Sequence, residues 1–124
     1  MTTTTLCPPN AILFVFDRTN HNVSVPEYID GQLIASTDTC LSVGTQDAVD
    51  GDTTISLERL HKGASANIPH KVFTGRLRTP GRKIAVVTSE GQIVLEQDVE
   101  GEIARVEIWT DDLRNPARVV VLAT

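Results

Sequence analysis

Apolar residues along this chain come in short runs, and nearly every run is cut by Gly, Pro or Asp before a helix could form. Val, Ile and Thr make up 38 of the 124 residues. Their branched side chains suit a pleated, half-buried surface better than a helix. Several runs alternate with period two, as a strand with one buried face should. Leu41 and Val43 alternate with Cys40 and Ser42, and Ile55 and Leu57 with Thr54, Ser56 and Glu58. In the same way Ala104, Val106 and Ile108 point inward while Arg105 and Glu107 point out. Two stretches are apolar throughout, Ala11–Phe16 and Val119–Leu122. These read as strands covered on both faces or lying at an interface.

Further strands are predicted over Gln32–Ser36, Lys71–Arg78, Lys83–Thr88 and Gln92–Val99, with a short edge strand at Val23–Val25 stopped by Pro26. Proline cannot donate a ladder hydrogen bond. Asp30-Gly31, Pro80-Gly81 and Ser89-Glu90-Gly91 carry turn chemistry. Residues Leu60–Pro69 keep no period and form the longest loop outside the strands. Eight to ten short strands with close-set breakers predict an all-β, antiparallel two-sheet β-sandwich, with a jelly roll or a partly closed barrel as the alternative. The length suits one domain over residues 1–124, with residues 1–10 as an N-terminal arm that can stay flexible.

Aromatics are scarce (Phe14, Phe16, Phe73, Tyr28 and Trp109), so the core is expected to be Val, Ile and Leu. The formal net charge is −5, carried by the first half, where residues 1–62 hold three Lys/Arg against eight Asp/Glu. The second half balances but contains a basic stretch, Lys71, Arg76, Arg78, Arg82 and Lys83, followed by Glu90 to Glu102. A chain with this acidic balance and one aromatic in its basic stretch is not expected to bind nucleic acid. No apolar run approaches the roughly 18–20 residues of a membrane span, and the amino terminus lacks the pattern of a secretory signal. A cytoplasmic location without membrane binding is the expectation, and Cys7 and Cys40 then stay reduced.

Candidate chemistry is thin. Asp47, Asp50 and Asp52 lie on a glycine-rich loop and could supply oxygen ligands to calcium, although their spacing is not that of an EF-hand. The same residues are ordinary turn formers, so the expectation is no cofactor, with calcium as the weaker alternative. His21, His61 and His70 are scattered and show no structural-zinc spacing. No Gly-x-Ser-x-Gly elbow or phosphate loop is present. Arg76, Arg78, Arg82 and Trp109 are candidates for the centre of a protein interface, because Arg and Trp contribute disproportionately there.

These readings point to a non-catalytic protein-recognition module or structural subunit. Its partner is another protein or a second copy in a homodimer, since the apolar first and last strands would be hazardous as exposed edges. The alternatives are a calcium-dependent or carbohydrate-type binding module and a small β-fold enzyme with a histidine-centred site.

Overall fold

The computed structural model describes residues 2–61 and 67–124. Strands form where the sequence alternates or runs apolar. They are β1 (Thr2–Leu6), β2 (Ile12–Phe16), β3 (Ile34–Ser36), β4 (Cys40–Gly44) and β5 (Thr53–Arg59), then β6 (His70–Arg78), β7 (Lys83–Thr88), β8 (Ile93–Asp98), β9 (Ile103–Thr110) and β10 (Arg118–Ala123). The first sheet has the order β1-β5-β10-β9-β6 and the second β3-β4-β2-β7-β8. Their inner faces meet in one core, with Leu13, Leu41, Ile55, Ile84, Ile108 and Val121 among its buried members. This is the two-layer β architecture that the sequence predicts. The stretch over residues 1–10 supplies β1, which runs antiparallel along β5.

The layout departs from the sequence reading in instructive ways. All pairings are antiparallel except β5 with β10, which run parallel. Val23–Val25 is not a strand, and the turn at Gly31 (φ 81°) therefore joins no hairpin. Only Ser89-Glu90-Gly91 closes a hairpin of the three turns singled out, between β7 and β8. Pro80-Gly81 instead carries the chain from the first sheet to the second, since β6 and β7 lie in different layers. Both apolar runs are interior: β2 sits between β4 and β7, and β10 between β5 and β9. The edges are β1, β6, β3 and β8. The hazard that suggested a homodimer through the first and last apolar strands is thus removed by sheet order itself.

Two long connections are forced by this order. β2 and β3 run in the same direction on either side of β4, so residues 17–33 must return the length of the sheet and cross β4 on its outer face. β5 and β6 also run the same way, with β10 and β9 between them, so the end of β5 and the start of β6 lie at opposite ends of the first sheet. Residues 62–66 of that predicted loop lie outside the described residues. The first crossing explains why Cys40 and Ser42, on the outward side of β4, are buried along with Leu41 and Val43. The second explains a separate small apolar cluster, in which Ile68, Val120 and Leu122 are buried against Leu60 and Trp109.

Candidate functional site

β2, β3, β5, β6, β8 and β10 all begin at one end of the sandwich, and the loops there come from both sheets. Main-chain bonds knit these loops together. Thr45 N–H donates to the Ala11 carbonyl and Gln46 N–H to the Pro116 carbonyl, both at 2.9 Å. Between the loops lies a cleft of about 590 Å³, lined among others by Tyr28, Ile29, Asp30, Asp47 and Leu113.

Each loop is shaped by its own polar residues and presents an apolar side chain outward. In residues 45–52, the Asp47 carboxylate accepts from Ala48 N–H at 3.1 Å and caps a single turn over Ala48–Asp50. Gln46 Nε2 donates to the Asp52 carbonyl at 2.8 Å and closes the loop base. Val49 stands at the tip, 90% exposed. In residues 111–117, Asp111 Oδ1 accepts from the Ala117 and Arg118 amides, each at 3.0 Å. Asp112 Oδ2 accepts from the Arg114 and Asn115 amides at 2.9 and 2.7 Å. Those two amide bonds hold the Asp112 carboxyl below its ordinary pKa, because they favour the charged form. Leu113 is left exposed on this loop. In residues 28–33, Gln32 N–H donates to the Ile29 carbonyl at 3.1 Å, and Tyr28 and Ile29 face solvent.

Exposed apolar residues scattered singly need no explanation. Here three of the seven exposed large apolar side chains among the described residues, Tyr28, Ile29 and Leu113, line one cleft, and a fourth, Val49, stands on a loop whose Thr45 and Asp47 line it. The same three loops hold Asp30, Asp47, Asp50, Asp52, Asp111 and Asp112 against Arg114 alone. The four ion pairs between described residues use Asp38, Glu96, Asp98 and Glu100. None of the six loop carboxylates takes part in them. The result is a loop end with exposed apolar side chains beside carboxylates that form no ion pair between described residues.

The residues singled out from sequence are distributed differently. Arg76 and Arg78 lie exposed on β6, Arg76 directly opposite Arg105 of β9. Arg78 pairs with Asp38 at 3.2 Å. Arg82 occupies the turn into β7 with φ 55°. Trp109 lies at the other end of the outer face, opposite Lys71, whose Nζ stands 5.7 Å from the ring centroid. Its indole N–H donates to Glu107 Oε1 at 3.0 Å, and the ring packs on the Ile68, Val120 and Leu122 cluster. Seven residues of β6 separate Lys71 from Arg78, roughly 20 Å along a strand, so the arginines and Trp109 do not converge on one centre.

Asp47, Asp50 and Asp52 do share a loop, and Asp52 Oδ1 accepts from the Cys7 thiol at 3.0 Å. Cys7 and Cys40 are free thiols. His21 follows β2, His61 follows β5 and His70 opens β6. Among the described residues no group of three or more His, Cys, Asp or Glu is placed to hold a metal ion. No described helix is long and apolar enough to cross a membrane.

Tyr28, Ile29, Val49 and Leu113 escaped the sequence reading, because each is a lone apolar residue among turn formers. The available signal was that misfit itself, a large apolar side chain inside a loop.

No protein-family model matches the sequence, and no curated protein matches it. Among solved structures the chain is similar to ComJ from Bacillus subtilis, an inhibitor of the DNA degrading activity of NucA. The TM-score is 0.70 at 15% identity, covering 99% of this chain and 94% of that one. A likeness at that identity carries the fold from end to end.

Proposed function

We propose that this chain acts by noncovalent recognition of another protein, and that its specific form is inhibition of a nucleic-acid-degrading enzyme by covering its working surface. The observation that carries the reading is the ordered loop end, with four exposed apolar side chains on loops that also carry six carboxylates. Apolar anchors supply most of the energy of a protein interface, and an ordered loop loses little further entropy on docking. The end-to-end likeness to a nuclease inhibitor supports the finer part of the proposal. In this reading the sandwich does no bond chemistry, and its rigidity lets loops from two sheets act as one surface.

The test is affinity capture with the full chain from its native cells, identification of the bound protein by mass spectrometry, and reconstitution from purified components. The expected outcome is a stoichiometric complex in which DNA or RNA cleavage stops. A captured protein that cleaves nucleic acid equally fast under saturating inhibitor, or that has no such activity, sinks the inhibitor reading.

A further inference from the structure

The geometry points to the loop end as the docking face, and to a basic protein surface, such as a phosphate-binding groove, as its occupant. This inference rests on the protein-recognition reading and adds the location and the partner's chemistry. Charge complementarity is what selects the occupant. The three loops carry six carboxylates against one guanidinium, and none of those carboxylates is engaged in an ion pair between described residues. Elsewhere four of the described acids are drawn into pairs: Arg18 with Glu96, Arg78 with Asp38, Lys83 with Asp98 and Arg59 with Glu100.

Asp47, Asp111 and Asp112 instead accept from main-chain N–H groups, Asp52 from the Cys7 thiol and Asp30 from the Tyr28 hydroxyl, which orient them but leave their charge. Complementary fields steer encounter and reject wrong partners. Val49, between Asp47 and Asp50, and Leu113, next to Asp112, would be the anchors, with Tyr28 and Ile29 closing the other side of the cleft. Carboxylates interspersed with exposed apolar anchors suit a partner surface that is basic with apolar patches between its charges. In a second copy of this chain the basic stripe lies along the exposed side of β6, an edge strand, with Arg78 already paired to Asp38.

The experiment compares four full-length proteins as ligands for the partner captured by the wild type, identified and purified. They are the wild type, a Tyr28→Ser/Ile29→Ser/Val49→Ser/Leu113→Ser variant, an Asp30→Lys/Asp50→Lys variant, and Arg76→Glu as the outer-face control. All substituted residues are exposed, and circular dichroism with urea melts establishes that each variant folds. The apolar variant should weaken binding by at least about 100-fold, since central apolar anchors dominate interface energy. Charge reversal should weaken it at least about tenfold, with a smaller loss at high salt, and Arg76→Glu by less than about twofold.

Retained affinity in both loop-end variants overturns the inference. So does capture of no partner, a partner whose contact surface is acidic, or a wild-type homodimer that the loop-end variants dissociate. A basic partner lost with the loop-end variants, but not inhibited, upholds the docking face and sinks the inhibitor reading alone.

Discussion

The connections from β5 to β6 and from β2 to β3 answer the same topological problem with different amounts of chain. The first has ten residues, 60–69, for strands with two others between them, and the second has seventeen, 17–33, for strands with one between. The shorter crossing ends in apolar contact: its described residues Leu60 and Ile68 seal Val120 and Leu122 against Trp109. The longer crossing is pinned at its start, where the buried Asp17 accepts from Thr19 N–H at 2.9 Å and from Gly81 N–H at 2.6 Å. It is pinned again at Ser24, whose N–H donates to Thr39 Oγ1 at 2.8 Å and whose carbonyl accepts from Thr37 Oγ1 at 2.6 Å. The return to the loop end is then made by the residues beyond Ser24, of which Val25, Tyr28 and Ile29 are exposed. The crossing segment is itself surface, and its last residues border the cleft.

The widest separation between the two regions is expected in stability. Leu122→Ala removes a fully buried side chain and should cost about 3 kcal/mol in urea unfolding, whereas Ile29→Ala should stay within about 0.5 kcal/mol. Equal losses would mean that the longer crossing is sealed as tightly as the shorter.

Next in size is the pin at Asp17. Asp17→Ala leaves the Gly81 and Thr19 amides without their acceptor and should cost about 2 kcal/mol. Gly81→Ala attacks the same contact from the other side, because an added Cβ would lie 1.8 Å from Thr19 Oγ1 and 3.0 Å from Asp17 Oδ2. Urea midpoints unchanged in both variants would show that this contact does not hold the crossing down.

A thiol under the longer crossing gives a finer readout. Burial pushes Cys40 up to about 12, so at pH 8 only roughly one molecule in ten thousand carries the reactive thiolate. Iodoacetamide should therefore modify the exposed Cys7 and leave Cys40 intact in the native protein, with mass spectrometry of the digest as the check. The hydrogen bond to Asp52 raises the Cys7 thiol as well, so Asp52→Asn should speed Cys7 labelling. Asp17→Ala should make Cys40 accessible if the crossing loosens, while Leu122→Ala, on the other sheet, should do so only through global unfolding.

The smallest effect belongs to Asp112. Its folded pKa lies below the ordinary value, so its contribution to loop order is present above that value and is lost as pH falls through the depressed one. Amide chemical shifts of Arg114 and Asn115 should report one titration below the usual carboxylate range, and a midpoint at the ordinary value would remove the role given to those two bonds.

The strand positions were largely legible, because period-two alternation at Leu41/Val43, Ile55/Leu57 and Ala104/Val106/Ile108 needs only local side-chain geometry. The interface centre at Arg76, Arg78, Arg82 and Trp109 was inferred from residue type. Whether such residues converge depends on strand register, and register set Lys71 opposite Trp109 and Arg78 at the far end. The loop-end set was hidden for the same kind of reason. Tyr28 and Leu113 come from separate loops, and only tertiary structure brings them to one cleft, with Val49 on a third loop at the same end.

By itself the sequence determined an all-β chain of short strands with an aliphatic core and acidic turn segments, because branched side chains, alternation and breakers act within a few residues. Tertiary structure decided which apolar strands became central, which pair ran parallel, and where the long crossing came to rest. Those outcomes depend on the hydrogen-bonding of strands far apart in the chain, whose pairing is fixed only when both sheets bury their faces together.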